Sequence, residues 1–126
     1  MTTPFIGPIE TSWGTEIVWS NTDKYCGKLL VFKAAGSHTP VMFHREKTKS
    51  WFVNSGMFSV RFVDVVTGEA KEKVLKAGDV FDVPALLPHR LEALIPESTV
   101  FESGTAELSG DLYKLTPDET EAPLAP

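Results

Sequence analysis

Two segments of this 126-residue chain carry histidines at positions where they could act as bases or as metal ligands. His44 lies in residues 36–56 and His89 ends residues 78–89. The third histidine, His38, precedes a Thr-Pro pair, and we expect it in a turn at the surface or rim of the fold. The chemistry to be explained therefore centres on His44 and His89.

Other polar side chains share a predicted face with these histidines. Met42 and His44 are two positions apart, so on a strand both side chains point to one side. Lys49 and Trp51 have the same relation on the next predicted strand. We expect all four to face the interior, with Trp51 as a cavity wall or a ligand contact.

Glu102 and Lys49 are the charged residues with the most informative surroundings. Glu102 lies in an apolar strand, where a carboxylate needs a partner or a raised pKa. Lys49 has three interpretations that the sequence leaves open. It faces solvent through a bulge, it pairs with Glu102 or Glu92 inside the fold, or it binds an anionic ligand such as a sugar phosphate or carboxylate.

The sequence predicts β-strands throughout, and these strands must position the residues described above. Nine glycines and nine prolines divide the chain into short runs rich in Val, Phe, Ile and Trp. Phe58, Val60 and Phe62 alternate with polar residues, and residues 67–69 resemble the tip of a long hairpin. No helix of convincing length is predicted. The predicted strands are 16–20, 28–34, 41–44, 50–54, 57–66, 72–75, 80–83, 89–94, 99–103 and 112–115.

Composition and charge narrow the class of protein. Hydrophobic residues make up 42% and charged residues 23% of the chain, as in a folded domain. A net charge of −5 argues against nucleic acid as a partner. The single cysteine, Cys26, excludes an internal disulfide and a CxxC zinc site. We see no secretory signal and no apolar run long enough to span a membrane, so the cytoplasm is the predicted location.

The two histidine segments resemble the two conserved motifs of the cupin superfamily. His44 falls on the second histidine of the first motif and Gly56 on its closing glycine, while the second motif has the family spacing from Gly78 to His89. Leu86 replaces a glycine of that second motif. The resemblance implies an all-β fold, the cupin-type double-stranded β-helix or jelly-roll barrel. We assign residues 1–115 to a single cupin domain and 116–126 to an acidic, proline-rich C-terminal tail.

A narrower resemblance covers roughly residues 10–115. It is to the cupin domain of mannose-6-phosphate isomerases, the type often fused to GDP-mannose pyrophosphorylase. The segments that carry it are Trp13-Gly14, Tyr25-x-Gly-Lys28, His44-Arg45, Trp51, Ser55-Gly56, Pro88-His89-Arg90-Leu91, Glu102-Ser103 and Asp111-Leu-Tyr-Lys.

The cupin resemblance implies a metal site at the positions of Met42, His44, Lys49 and His89, but only the two histidines are ordinary ligands. Two unit charges about 4 Å apart interact by about 4 kcal/mol at an effective dielectric of 20, and a divalent ion doubles the repulsion from Lys49. The prediction is one divalent ion (Zn, Mn, Fe or Ni) held weakly by His44 and His89, or no metal. Replacement ligands could come from His38, Glu46 or Glu102.

Three functions remain open. Whether the protein is an enzyme therefore also remains open. The first is a binding cupin that holds a carbohydrate or small acid through Lys49, Trp51 and Met42. The second is a sugar isomerase or epimerase, with Glu102 or His44 as base and Lys49 or a metal as electrophile. The third is a metal-dependent oxygenase-type cupin. The resemblance also implies a homodimer, and nothing in the sequence indicates a membrane partner.

Overall fold

Two antiparallel β-sheets make up the computed structural model, which describes residues 5–116. The six-stranded sheet has the order β1-β2-β3-β10-β5-β8 and the five-stranded sheet the order β11-β4-β9-β6-β7. No helix occurs within residues 5–116, which confirms the predicted all-β jelly roll. The strands are β1 (Gly7–Glu10), β2 (Gly14–Asn21), β3 (Tyr25–Phe32), β4 (Met42–His44), β5 (Lys49–Ser55), β6 (Met57–Val63), β7 (Ala70–Lys76), β8 (Val80–Val83), β9 (His89–Ala93), β10 (Thr99–Thr105) and β11 (Leu112–Lys114).

Between residues 5 and 116, no helix is long and apolar enough to cross a membrane. The proline-rich segment predicted as a tail lies outside the described residues except for Thr116. The hydroxyl of Thr116 accepts a hydrogen bond of 2.8 Å from the backbone N–H of Val41.

The core lies between the two sheets and follows the two-residue period of the strands. Phe58 and Val60 are fully buried, and Phe62 packs against the core as a partly buried residue, as the alternation predicted. The other core side chains come from both sheets and from the segment before β2. They are Trp13, Leu30, Phe32, Trp51, Val53, Leu75, Val83, Leu91, Ala93 and Val100.

The predicted strands are all present, and two features differ. The sixth strand ends at Val63 rather than at residue 66, because the Asp64 carboxylate accepts backbone N–H groups of Val66 and Thr67 at 2.9 and 3.2 Å. Val65 and Val66 therefore lie in the turn. The short edge strand β1 was missed, because its glycine and proline are typical of a loop.

Two positions of the histidine motifs adopt left-handed backbone conformations. Gly56 has φ +80°, and a Cβ atom there would lie 2.1 Å from the Ser98 hydroxyl oxygen, so the tight turn between β5 and β6 requires glycine. Leu86, which replaces the second motif's glycine, has φ +67°. That conformation costs a leucine about 1–2 kcal/mol.

A row of apolar side chains crosses the outer face of the six-stranded sheet. Phe101 of β10 lies between Leu29 of β3 and Phe52 of β5. The pairing continues from Leu29 to Ile17 and from Phe52 to Val80. We call Ile17, Leu29, Phe101, Phe52 and Val80 the apolar row.

Candidate functional site

A cavity of about 570 Å³ opens between the sheets and collects the polar residues singled out in the sequence. Its size is within the range of small-ligand pockets in proteins. Strands of both sheets contribute to it, because inward-facing side chains alternate along each strand. The predicted site residues that line it are Met42, His44, Lys49, Trp51, His89 and Glu102.

Sheet register brings these side chains together. Glu102 of β10 is directly opposite Trp51 of β5 on one side and Lys28 of β3 on the other. In the other sheet, Met42 of β4 is opposite His89 of β9. The two sheets thus supply an acidic and aromatic wall and a histidine wall to one cavity.

Glu102 is the centre of a buried charge cluster. The indole N–H of Trp51 donates a hydrogen bond of 2.9 Å to Oε1 of Glu102. The Lys49 Nζ lies 3.6 Å from the same oxygen, and the Lys28 Nζ lies 3.9 Å from Oε2. Burial raises the pKa of the Glu102 carboxyl, but the nearby ammonium groups and the indole outweigh it and hold the pKa at about 2. Glu102 is therefore ionised at neutral pH.

Of the interpretations of Lys49, the structure shows the internal ion pair. Its side chain is buried, so the solvent-facing alternative is wrong. Its carboxylate partner is Glu102, whereas Glu92 binds Arg90 at 2.5 Å. The ammonium also lies 5.3 Å from the centre of the Trp51 ring, within the range of a cation–π contact.

A second set of charges extends the cluster, and sequence reasoning did not identify it. Lys28 pairs with Glu16 and lies 2.6 Å from Glu107. Burial lowers the pKa of Lys28, but Glu102, Glu16 and Glu107 outweigh it and raise the pKa above its usual value. Lys47 lies 3.4 Å from Glu107 and donates to the Thr105 carbonyl oxygen at 2.5 Å.

One signal could have identified Lys28 as an inward-facing residue. It alternates with Leu30 and Phe32, both of which are core residues, so the two-residue period places all three on one face. Lys47 lies in the turn after β4, where no such period applies.

His89 lines the cavity and has an unpaired acceptor. Its Nδ1 lies 2.8 Å from the Leu87 carbonyl oxygen, which can only accept, so Nδ1 carries the proton. Among residues 5–116, no hydrogen-bond partner reaches the buried Nε2. Burial and the Lys49 ammonium lower the pKa of His89 to about 3, so the ring is neutral and Nε2 carries a lone pair.

His44 is held beside the turn that follows β4. Burial and the Lys49 ammonium lower its pKa, so this ring is also neutral at pH 7. Its Nδ1 lies 3.6 Å from Oδ2 of Asp111 and has no hydrogen-bond partner within the described part of the chain. The Asp111 carboxylate accepts the backbone N–H groups of Arg45, Glu46 and Lys47 at 3.0, 3.0 and 3.1 Å, and so fixes this turn.

The residues present do not fit a divalent metal ion. In residues 5–116, no group of three or more His, Cys, Asp or Glu side chains is arranged to hold one. The Lys49 ammonium acts on both histidines and would repel a cation bound to them. Of the replacement ligands considered, Glu102 is engaged by lysines, and neither His38 nor Glu46 lines the cavity.

Comparisons with known proteins identify the fold. The sequence matches no protein-family profile and no curated protein. Among solved structures, it is similar to oxalate decarboxylase from Bacillus subtilis, with a TM-score of 0.77 and 15% identity over 87% of this chain and 30% of that chain. It is also similar to the capsular polysaccharide assembling protein CapF from Staphylococcus aureus, with a TM-score of 0.74 and 22% identity over 91% of this chain and 32% of that chain.

A protein of more comparable length is KdgF from Halomonas sp., with a TM-score of 0.63 and 21% identity over 75% of this chain and 81% of that chain. By contrast, the chain spans about a third of the length of CapF and of oxalate decarboxylase. At these identities the likeness concerns the fold. The protein thus has the all-β cupin jelly-roll fold that its two histidine segments predicted.

Proposed function

We propose that the barrel cavity binds a small carbohydrate or small anionic ligand without a metal ion. The observation that carries this proposal is the buried, unpaired Nε2 of His89, a residue that lines a cavity of about 570 Å³ together with Lys49. A buried polar atom without a partner costs about 1–3 kcal/mol, and a ligand that bonds to it recovers that free energy. Trp51 and Met42 supply apolar wall beside these polar groups.

Binding is favoured over catalysis by Glu102, one of the two predicted bases, because of the ionisation state of its carboxyl. A general base works best when its pKa is near the working pH, whereas the pKa of Glu102 is about 2. Its two oxygens are also engaged by Trp51, Lys49 and Lys28. The catalytic roles of Glu102 and Lys49, isomerase activity, the mannose-6-phosphate isomerase subtype and the cytoplasmic location stay predictions.

Ligand binding is tested by thermal unfolding and calorimetry with a panel of neutral sugars, sugar phosphates and small carboxylates. We expect at least one compound to raise the melting temperature and to bind in calorimetry. Lys49→Met should weaken that binding at least tenfold. The control is Lys73→Met, which removes an exposed lysine on β7, outside the cavity lining. If no member of the panel binds, the proposal is wrong.

Turnover and metal content separate the other two functions. Isomerisation of mannose 6-phosphate that is lost in Glu102→Gln would establish the isomerase instead. Metal content is measured by plasma mass spectrometry after incubation with Mn²⁺, Fe²⁺, Ni²⁺ or Zn²⁺. We expect far less than one equivalent. Near one equivalent that is lost in a His44→Ala/His89→Ala variant would overturn the metal-free site.

We propose that the protein also forms a homodimer through the apolar row. The other outward residues of β5 and β10 are uncharged, so these two central strands bring no like charges together between two copies. The outward carboxylate nearest to them is that of Asp82 on β8, which accepts a hydrogen bond from Ser50. In the single chain, the exposed fractions of Phe52, Phe101 and Val80 are 47%, 38% and 61%. Those other outward residues are Ser50, Asn54, Thr99 and Ser103.

A further inference from the structure

We infer that the ligand of this cavity is a neutral polyhydroxylated compound, a sugar or polyol, rather than a carboxylate or a phosphate. This inference rests on the proposed function and narrows it to one of its two ligand classes. Three features of the cavity carry the inference: the acceptor on His89, the acceptor on His44 and the balance of charge along the wall.

The His89 ring selects for a donor. The bond from Nδ1 to the Leu87 carbonyl fixes the proton on that nitrogen, which leaves Nε2 as an acceptor. The side chain is 2% exposed, and among the described residues nothing donates to Nε2. A carboxylate or phosphate oxygen beside this atom would set one lone pair against another, whereas a hydroxyl group can donate to it.

The His44 ring has the same polarity. Its Nδ1 lies 3.6 Å from an Asp111 carboxylate oxygen, which favours a proton on Nδ1 because two facing lone pairs repel. The other ring nitrogen, Nε2, is then the acceptor. A ligand hydroxyl can donate to this nitrogen, and the buried Nε2 of His89 in the same cavity lining requires such a donor.

The positive charges of two cavity lysines are already balanced by glutamates. Lys49 is paired with Glu102, and Lys28 with Glu16 and Glu107. Four glutamates and three lysines line the cavity, counted over the described residues, so the wall carries no excess of positive charge for an anion. Lys49 can still donate a hydrogen bond to a ligand oxygen.

A hydroxyl group meets both requirements at once, because it donates through its hydrogen and accepts through its oxygen. Neighbouring hydroxyl groups of a sugar ring or an open-chain polyol could donate to the histidines while one accepts from Lys49. An anion without hydroxyl groups could satisfy Lys49 but would leave the His89 acceptor unpaired. A charged sugar could donate to His89, but its charge would meet a wall that has no excess of positive charge.

The decisive experiment compares matched ligands by calorimetry at pH 7.5 and low salt, which favours any anion that can bind. The probes are D-glucose, D-glucuronate and D-glucose 6-phosphate, then D-mannose with D-mannose 6-phosphate, and sorbitol. We expect a neutral compound to bind at least tenfold more tightly than its charged counterparts. His89→Ala should weaken it at least tenfold, whereas His38→Ala, outside the cavity lining, should leave its affinity within about twofold.

The outcomes separate this inference from the proposed function. If glucuronate or a sugar phosphate binds more tightly, and this binding is lost in Lys49→Met, the inference of a neutral ligand is wrong. The proposal that the cavity binds a ligand is then supported. Binding of neither class would overturn both.

Nitrogen NMR of the histidine rings gives a second test, which needs no ligand. We expect His89 to carry its proton on Nδ1 and a bare Nε2 at pH 7. A proton on Nε2 would overturn the inference, whatever the calorimetry shows.

Discussion

At the scale of single residues, Lys49 determines the electrostatics of the cavity. It stands where the cupin resemblance implies an acidic ligand, and its buried ammonium is paired with Glu102 at 3.6 Å. The same ammonium contributes to the lowered pKa of both His44 and His89. A protein cation thus lies among the residues where a metal ion was implied. Burial and this cation together keep the histidines neutral, and the cation helps to keep the Glu102 carboxylate ionised.

Removing the Lys49 charge should destabilise the fold. In Lys49→Met, the buried Glu102 keeps its contacts with Lys28 and Trp51 but loses the nearer of its two ammonium partners. We therefore expect the free energy of unfolding to fall by about 2 kcal/mol. Urea unfolding, followed by tryptophan fluorescence, measures it. The exposed control Lys73→Met should change stability by no more than about 0.5 kcal/mol.

The double variant Lys49→Met/Glu102→Gln tests whether the two charges are coupled. It should lose at least about 1 kcal/mol less than the sum of the two single variants, because the neutral amide no longer needs the ammonium. Additive losses would show that the pair contributes nothing as a pair.

His89 should make the protein sensitive to mild acid. Its pKa is about 3 in the fold and 6.5 for the ordinary residue, so below pH 6.5 the unfolded chain binds a proton that the folded chain does not. Stability should therefore fall from pH 6.5 towards pH 3, by about 1.4 kcal/mol per pH unit from this group alone.

The pH dependence is measured by urea unfolding at pH 7.0 and 5.0 in the presence of a metal chelator. His89→Gln removes the titrating group, so its stability should fall by about 2 kcal/mol less than that of the unchanged protein over this interval. An equal fall in the two proteins would contradict a neutral His89.

At the scale of elements, the motif glycines set the turns that bring the strands into register. Gly56 and Gly36 both have positive φ angles, of 80° and 88°. A Cβ at Gly56 would meet the Ser98 hydroxyl at 2.1 Å and its Cα at 2.5 Å, whereas a Cβ at Gly36 would meet nothing within 4 Å. Substitutions at these two glycines therefore distinguish the cost of backbone strain from the cost of a steric clash.

Gly56→Ala should destabilise the protein much more than Gly36→Ala does. We expect about 1 kcal/mol at Gly36, from the left-handed backbone alone, and at least about 3 kcal/mol at Gly56, where Ser98 must also move. Thermal and urea unfolding of the two variants give the comparison. Equal losses would mean that the turn adapts to the added methyl group.

At the scale of the whole molecule, the apolar row is the feature that a single chain does not explain. Five apolar side chains pair directly across five strands on the outer face of one sheet. Trp19 packs edge-on against Phe101 with ring centres 5.7 Å apart, which extends the surface. Such a face on an open sheet is typical of an interface.

Phe101→Lys should convert a dimer into a monomer. The lysine places a charge on the face at the centre of the row, where a second copy would bury it without a partner. Light scattering after size exclusion should give twice the chain mass for the unchanged protein and one chain mass for the variant. Val74→Lys, on the exposed side of β7 in the other sheet, should remain a dimer. A monomeric unchanged protein would contradict the proposed interface.

The amino-acid sequence alone was sufficient to predict the strands and six of the residues that line the cavity. Strand alternation is a local property, so the burial of Phe58 and Val60 and the inward positions of Met42, His44, Lys49 and Trp51 could be predicted. Strand ends were less predictable, because a single side chain such as Asp64 can close a turn early.

Which charged side chains lie together depends on the three-dimensional fold. Glu102 is 53 residues from Lys49 and 74 from Lys28 along the chain, and cross-strand register places all three together. The Asp111 carboxylate likewise reaches a turn more than 60 residues away. Pairing across strands depends on register and on the closure of two sheets, and no local pattern in the chain encodes either of them.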